Sequence, residues 1–243
     1  NEPGNEWADL YESLPKLGDK MTISKEVIAE AEPDIIIGRS ATFEEGTFGS
    51  IVELNALGIN VYAQKASDMS TAVTMESIID DVRNLGEIFD VQDRAKEYAD
   101  SLENRLSTVT KTVRDATGTD IKKVVVMATY QEGNFVVFGA NAKLQNGILQ
   151  TLNAENVMEK GGNGLTLENM VSANPDAIIY ITSTRNKDID VSAKEALLNE
   201  SLLSSVPAIA DKKIIEVPYD AFMDYGVRNF DTLEELADFL YNK

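Results

Sequence analysis

Ser24-Lys-Glu26-Val-Ile-Ala-Glu-Ala-Glu-Pro33-Asp34-Ile-Ile-Ile37 is matched by a second stretch, Thr166-Leu-Glu168-Asn-Met-Val-Ser-Ala-Asn-Pro175-Asp176-Ala-Ile-Ile179. Each begins with a hydroxyl residue whose oxygen can accept a backbone N–H of a first helical turn. A glutamate follows two places on, Pro-Asp seven places after that, and then an isoleucine-rich run. Proline cannot continue the helical ladder, and a β-branched run fits a buried strand. Each stretch therefore reads as a helix, a sharp stop and a strand. The two glutamates, at 26 and 168, are 142 residues apart. A unit repeated at that distance predicts two similar α/β lobes rather than a solenoid of short stacked repeats.

Outward from the first copy, residues 24–32 form the helix, with Val27, Ile28 and Ala31 on one face, and Ile35–Ile37 form the strand, ending in Gly38-Arg39. Residues 50–57 read as a helix, and after the Gly58 break Ile59–Tyr62 read as another strand. From Thr74 to Phe89, Met75, Ile78, Ile79, Val82, Leu85 and Ile88 keep helical spacing. Asp90 can cap the helix that follows, where Val91, Ala95, Tyr98, Ala99, Leu102, Leu106, Val109 and Val113 step by threes and fours. That helix, residues 91–113, spans about 35 Å at 1.5 Å per residue, and Thr117-Gly118-Thr119-Asp120 ends it. Around the second copy, Val124–Tyr130, Phe135–Phe138, Ala177–Ile181 and Lys213–Val217 read as strands, Gly147–Leu152 and Thr232–Tyr241 as helices. The predicted fold is α/β, two lobes of mainly parallel sheet joined by one long α-helix. An N-terminal lobe covers residues 1–90, the linking helix 91–113 and a C-terminal lobe 114–243.

Composition removes several function classes. Lys and Arg number 22 against 41 Asp and Glu, a net charge of −19. Such a surface repels phosphate backbones and anionic lipid, which excludes nucleic acid as a partner and fits a hydrated monomer. Cysteine and histidine are both absent. No disulfide, thiol nucleophile, Ser-His-Asp triad or common zinc site can be built. The rival reading, an α/β enzyme, would need a nucleophile elbow, a Walker loop or a GxGxxG turn, and none occurs. No run approaches the about eighteen apolar residues that cross a bilayer. No signal peptide is present, so an exported chain would be shown here in mature or trimmed form.

With the two Glu-x6-Pro-Asp-strand units stand three flanking runs: Leu14-Pro-Lys-Leu-Gly-Asp19, Asn84-Leu-Gly-Glu-Ile-Phe89 and Ala210-Asp-Lys-Lys-Ile-Ile215. In this order the chain resembles the substrate-binding proteins of iron–siderophore and cobalamin ABC importers, the class with a rigid helix between its lobes. The resemblance implies that a ferric siderophore is captured in the cleft between the lobes and delivered to an ABC permease in the cytoplasmic membrane. Cobalamin or haem is the alternative ligand. Lack of histidine removes the commonest haem ligand and leaves tyrosine and methionine. The resemblance further implies no enzymatic activity, no intrinsic cofactor, and an extracytoplasmic location, as a cell-surface lipoprotein or in a periplasm. Members of the family usually open with a strand and a helix before the Leu14 run. Only about thirteen residues precede it here, so a shortened N-terminal lobe is expected.

Candidate site residues follow from position. Ligands of open α/β sheets bind beyond the carboxyl ends of strands. That singles out Arg39 after the first isoleucine-rich strand and Arg185 after its counterpart. Lys143 follows Phe138-Gly-Ala-Asn-Ala, where siderophore binders of this type often carry a cation. The three are expected to converge on an anionic ferric complex. Tyr219, Tyr225 and Arg228 lie in the run after the last strand and can flank a planar ligand, with Phe222 between cleft and core. Asn163, in the glycine-rich loop 161–164, is a further ligand contact. A first-turn carboxylate at Glu26 or Glu168 suits the helix dipole, worth about 0.3–1 kcal/mol. The resemblance implies more: that the two glutamates, one per lobe, dock on arginines of the permease.

Overall fold

The computed structural model describes residues 8–18, 23–44, 49–117 and 120–241. Trp7, Asp19 and the Gly118-Thr119 break lie outside the described residues. The chain divides into two compact units between Gln64 and Lys65.

In the first unit, α1 (Ala8–Ser13), α2 (Lys25–Glu30), β1 (Ile35–Gly38), α3 (Ile51–Ala56) and β2 (Asn60–Ala63) follow in order, with a 3₁₀ turn at Ser40–Phe43. Ser24 Oγ accepts the Val27 N–H and starts α2 as the sequence predicts. A reciprocal cap starts α3: Ser50 Oγ accepts the Glu53 N–H, and the Glu53 carboxylate accepts the Ser50 N–H at 2.8 Å. Lys25 Nζ lies 2.6 Å from Glu53 and pulls its carboxyl down to about 2. β1 and β2 pair in parallel, Ile35 opposite Asn60. Ile28, Phe43, Leu54 and Ile59 form the core beneath them.

The second unit opens with a helical hairpin, α4 (Met75–Ile88) and α5 (Gln92–Thr117). Residues 92–113 of the expected long helix form one unbroken element inside α5. Asp90 does not cap it. That residue takes a left-handed turn at φ 55°, and the helix starts two residues later. A Cβ on Gly86 would stand 2.2 Å from Ala95 Cβ, so glycine permits this close crossing of α4 and α5. Arg105 of α5 donates to Glu234 and Asp231 and ties the hairpin to the closing helix. Both helices of the hairpin lie in the second unit, which begins at Lys65.

The remaining elements are β3 (Lys122–Gln131), β4 (Asn134–Val137), α6 (Lys143–Thr151), β5 (Ala154–Asn156), β6 (Gly162–Leu165), α7 (Leu167–Ala173), β7 (Ala177–Thr182), α8 (Lys187–Leu198), α9 (Pro207–Ala210), β8 (Ile214–Pro218), α10 (Tyr219–Phe222) and α11 (Asn229–Tyr241). They build a mixed, mainly parallel sheet in the order β6-β4-β3-β7-β8, with β5 beside the start of β3. Both faces are covered, so side chains alternate between two cores. Val124, Val126, Ile179, Ile181 and Val217 meet α4, α5, α6 and α11. Val125, Met127, Ile178, Tyr180 and Ile214 meet α7, α8 and α9. The glycine-rich run predicted as a loop is strand from Gly162 onward, because β6 pairs with β4. Among the described residues no helix is long and apolar enough to cross a membrane, and no cluster of acidic side chains could hold a metal ion.

Candidate functional site

Strands β3, β7 and β8 run in parallel. β4 runs against β3, and β6 runs against β4, so β6 shares the sense of the first three. The segments leaving β6, β7 and β8 therefore emerge at one end of the second unit's sheet, the carboxyl end where ligands bind in open α/β folds. Thr182 lies opposite Pro218 in the register. The turn Ser183–Asn186 and the residue Tyr219 thus leave neighbouring strands at the same level. Arg185 is exposed on that turn and makes no ion pair among the described residues. Tyr219 is 45 % exposed.

Three backbone N–H groups of the Arg185 turn have partners. Ser183 N–H donates to Asp190 Oδ2 at 2.7 Å. Arg185 N–H donates to Ser183 Oγ at 3.3 Å, and Asn186 N–H to the Ser183 carbonyl at 2.9 Å. Asp190 is buried in the first turn of α8, and its Oδ1 accepts the Tyr180 hydroxyl at 2.7 Å. Neither Asp190 nor Tyr180 stood out in the sequence. Their signal was an acid on the Asp190-Ala193-Leu197 stripe, the buried face of α8.

The other candidates have more partners than expected. Arg228 donates to Asp220 at 2.8 Å and has Asp224 at 3.7 Å, so two carboxylates already balance its charge. Lys143 does not follow a parallel strand. It stands at the first position of α6, where a cation opposes the helix dipole. Its ammonium donates to the carbonyls of Met69 and Thr71. Beside it, Asp68 has its carboxyl lowered, chiefly by the Ser70 hydroxyl and least by Lys143. Lys143 thus pins the 68–71 loop to α6. Tyr225 is half-buried against the core, and Phe222 is wholly buried, its carbonyl accepting from Gln145 at 2.7 Å. Asn163 is exposed on β6.

Arg39 belongs to the first unit, exposed between the end of β1 and the Ser40–Phe43 turn. Glu26 and Glu168 are exposed at equivalent positions of α2 and α7. Each carboxyl is held below its ordinary value, first by the hydroxyl of its own cap residue, Ser24 or Thr166, and then by its own backbone N–H. An open groove of about 620 Å³ runs along the α4–α5 hairpin, lined by Leu85, Phe89, Val91 and Tyr98. It includes none of the candidate ligand or docking residues drawn from the sequence.

Comparison with known proteins gives a consistent result. The periplasmic binding protein family matches residues 3–221. A search of curated proteins returns no match. A periplasmic binding protein from Veillonella parvula is 23% identical with a TM-score of 0.77, over 98% of this chain and 73% of that one. An ABC-type Fe3+-hydroxamate transport system protein from Saccharomonospora viridis is 23% identical with a TM-score of 0.70, over 97% and 80%. The periplasmic haem-binding protein HutB of Vibrio cholerae is 18% identical with a TM-score of 0.68, over 96% and 86%. At these identities the likeness establishes a shared fold.

Proposed function

The chain belongs to the periplasmic binding protein family, and on that premise we propose that it captures an anionic ferric siderophore outside the cytoplasm and hands it to an ABC permease. Its work is binding and release, with no covalent step and no resident cofactor. In this reading α5 is the linking helix, Arg39 and Lys143 add positive charge, Asn163 and Tyr225 add contacts, and Arg228 orients the segment that carries Tyr219. Glu26 and Glu168 dock on the permease.

The observation that carries the choice of an anionic ligand is Arg185. It is an exposed guanidinium without an anionic partner among the described residues, at a strand carboxyl end, in a chain of net charge −19. A guanidinium presents forked donors that suit paired catecholate or carboxylate oxygens. One ion pair at about 4 Å is worth roughly 4 kcal/mol at an effective dielectric of 20, before desolvation. The fold shared with an Fe3+-hydroxamate transport protein agrees with a ferric ligand. The second reading is haem. It draws on Tyr219, an exposed phenol of the type that can ligate haem iron, and on the haem-binding neighbour.

The test is a titration of wild type and Arg185→Ala with a ferric tris-catecholate complex, ferric citrate, haemin and cobalamin at two salt concentrations. The expected result is at least about a tenfold loss for the two anionic ferric complexes, about 1.4 kcal/mol. The loss should be larger at low salt. Equal affinities overturn the cationic site. Tight haemin binding whose Soret shift is lost in Tyr219→Phe establishes the second reading, and tight cobalamin binding by both proteins points to cobalamin.

A further inference from the structure

We propose that Asp190 and Tyr180 are positioning residues for Arg185, joined in a buried relay that fixes the turn from which the guanidinium projects. The inference rests on the reading of Arg185 as a ligand contact. Asp190 is 5% exposed and Tyr180 wholly buried. A carboxylate out of water is costly unless every oxygen is bonded. Here one oxygen takes the Tyr180 hydroxyl and the other takes the Ser183 N–H, both at 2.7 Å. The start of α8 adds its positive dipole end. Burial pushes the Tyr180 phenol well above its ordinary range, so it remains a donor.

The relay has a third member. Tyr180 Oη accepts the Tyr130 N–H at 3.1 Å. That N–H is free of the ladder because β3 bulges there: its register with β4 shifts between Ala128 and Gln131. Thr129 sits in the bulge at φ 53°. A β-branched residue rarely adopts that angle, so the surroundings must hold it there. The bulge, β7 and α8 are thereby tied to Ser183, two residues before Arg185. An apolar pair of similar volume would fill the same space without the desolvation cost. What the polar relay adds is geometry. It fixes the backbone of the turn and leaves the Arg185 side chain free, so less ordering remains to be done when a ligand arrives.

The test uses the full chain, the ferric tris-catecholate probe, and variants made with and without Arg185→Ala. Tyr180→Phe keeps the ring and removes the hydroxyl; Asp190→Asn removes one acceptor. Each should weaken binding about three- to tenfold, the range expected when one side chain loses its preorganisation. The Tyr180→Phe/Asp190→Asn double variant should be no weaker than the weaker single. In the Arg185→Ala background, Tyr180→Phe should cause no further loss, even where it lowers the melting temperature. A purely structural role predicts lower melting temperatures with unchanged affinity, or a loss that persists without Arg185, and either result overturns the proposal. Ser183→Ala keeps the N–H that Asp190 accepts and removes only the Oγ that caps the Arg185 N–H, so it reads the ordering of the turn itself. If a core variant fails to fold it should still give an Arg185-dependent loss, and no loss there would show that ordering the turn does not set affinity, which overturns the proposal. If Arg185→Ala alone leaves affinity unchanged, it is the reading of Arg185 that fails.

Discussion

Among the described residues, the strand of the repeat in the first unit, β1, pairs with β2 alone; in the second its counterpart, β7, lies between β3 and β8. The two copies agree closely at the junction. The residue before the proline is left-handed in both, Glu32 at φ 45° and Asn174 at φ 46°. Both helices start from a hydroxyl residue, and both place an exposed glutamate in the first turn. They part at the strand. Ala177 through Ile181 are all buried, whereas no residue of β1 is, and Ile37 is 41% exposed. The motif specifies a helix, a stop and a strand. How deeply that strand is buried depends on the strands and helices that the rest of the chain supplies.

The largest effect should come from testing that difference directly. Ile179→Ala in β7 removes a side chain that is 0% exposed, and it should cost about 2–5 kcal/mol. Ile37→Ala, on the exposed face of β1, should cost less than about 1 kcal/mol. Urea unfolding of both variants checks this. Equal costs would mean that β1 is as well packed as β7 in solution.

A smaller effect separates the two Pro-Asp pairs. Asp176 accepts the Lys123 N–H on its side chain at 2.9 Å and donates its own N–H to the Lys123 carbonyl at 2.8 Å. Asp34 makes the comparable link through its main chain, its carbonyl accepting from the Asn60 amide at 2.9 Å. Asp176→Ala leaves the Lys123 N–H without that partner and should cost about 1–2 kcal/mol. Asp34→Ala should stay within about 0.5 kcal/mol. A reversed order in denaturant midpoints would show that the Asp34 side chain, and not its carbonyl, holds the first junction.

The junctions and the long helix could be read from the sequence because they rest on local chemistry: a cap, a proline, and apolar spacing of threes and fours. Other features depend on residues far away in the chain. Gly162-Asn-Gly-Leu165 has no strand propensity and is strand only because β4 lies beside it. Helix α8 was hidden because Asp190 interrupts its apolar stripe, and the carboxylate makes sense only once Tyr180 and Ser183 are seen to bond it. Cations could be picked out as candidates, but their partners could not. The carbonyls that hold Lys143 lie more than seventy residues upstream. For Arg228 the partner nearer in sequence, Asp224, is local, but Asp220 reaches it only because α10 folds back toward the start of α11.

The smallest effect on folding is expected where the copies agree most closely, at Glu26 and Glu168. Both are fully exposed, so Glu26→Ala with Glu168→Ala should leave the denaturant midpoint and the ligand affinity unchanged. If the pair docks on a permease, uptake by cells carrying the double variant should fall several-fold; unchanged uptake removes the docking role. The pH dependence adds a sharper check. Each carboxyl lies below its ordinary 4.5, with its own cap hydroxyl as the largest cause. A group lowered in the folded state stays charged through 4.5 and is neutralised only as pH falls through its folded value. Binding of the loaded protein to permease in vesicles should therefore persist below pH 4.5. Thr166 Oγ1 lies 2.5 Å from Glu168 Oε2, so Thr166→Ala should move the Glu168 titration upward, toward 4.5. Ser24→Ala should do the same for Glu26, less completely, because Lys25 adds a small attraction that Leu167 cannot supply. Carboxyl NMR titration of the two cap variants measures both shifts. Identical titrations before and after the substitutions would mean that the hydroxyls cap their helices without touching the carboxylates.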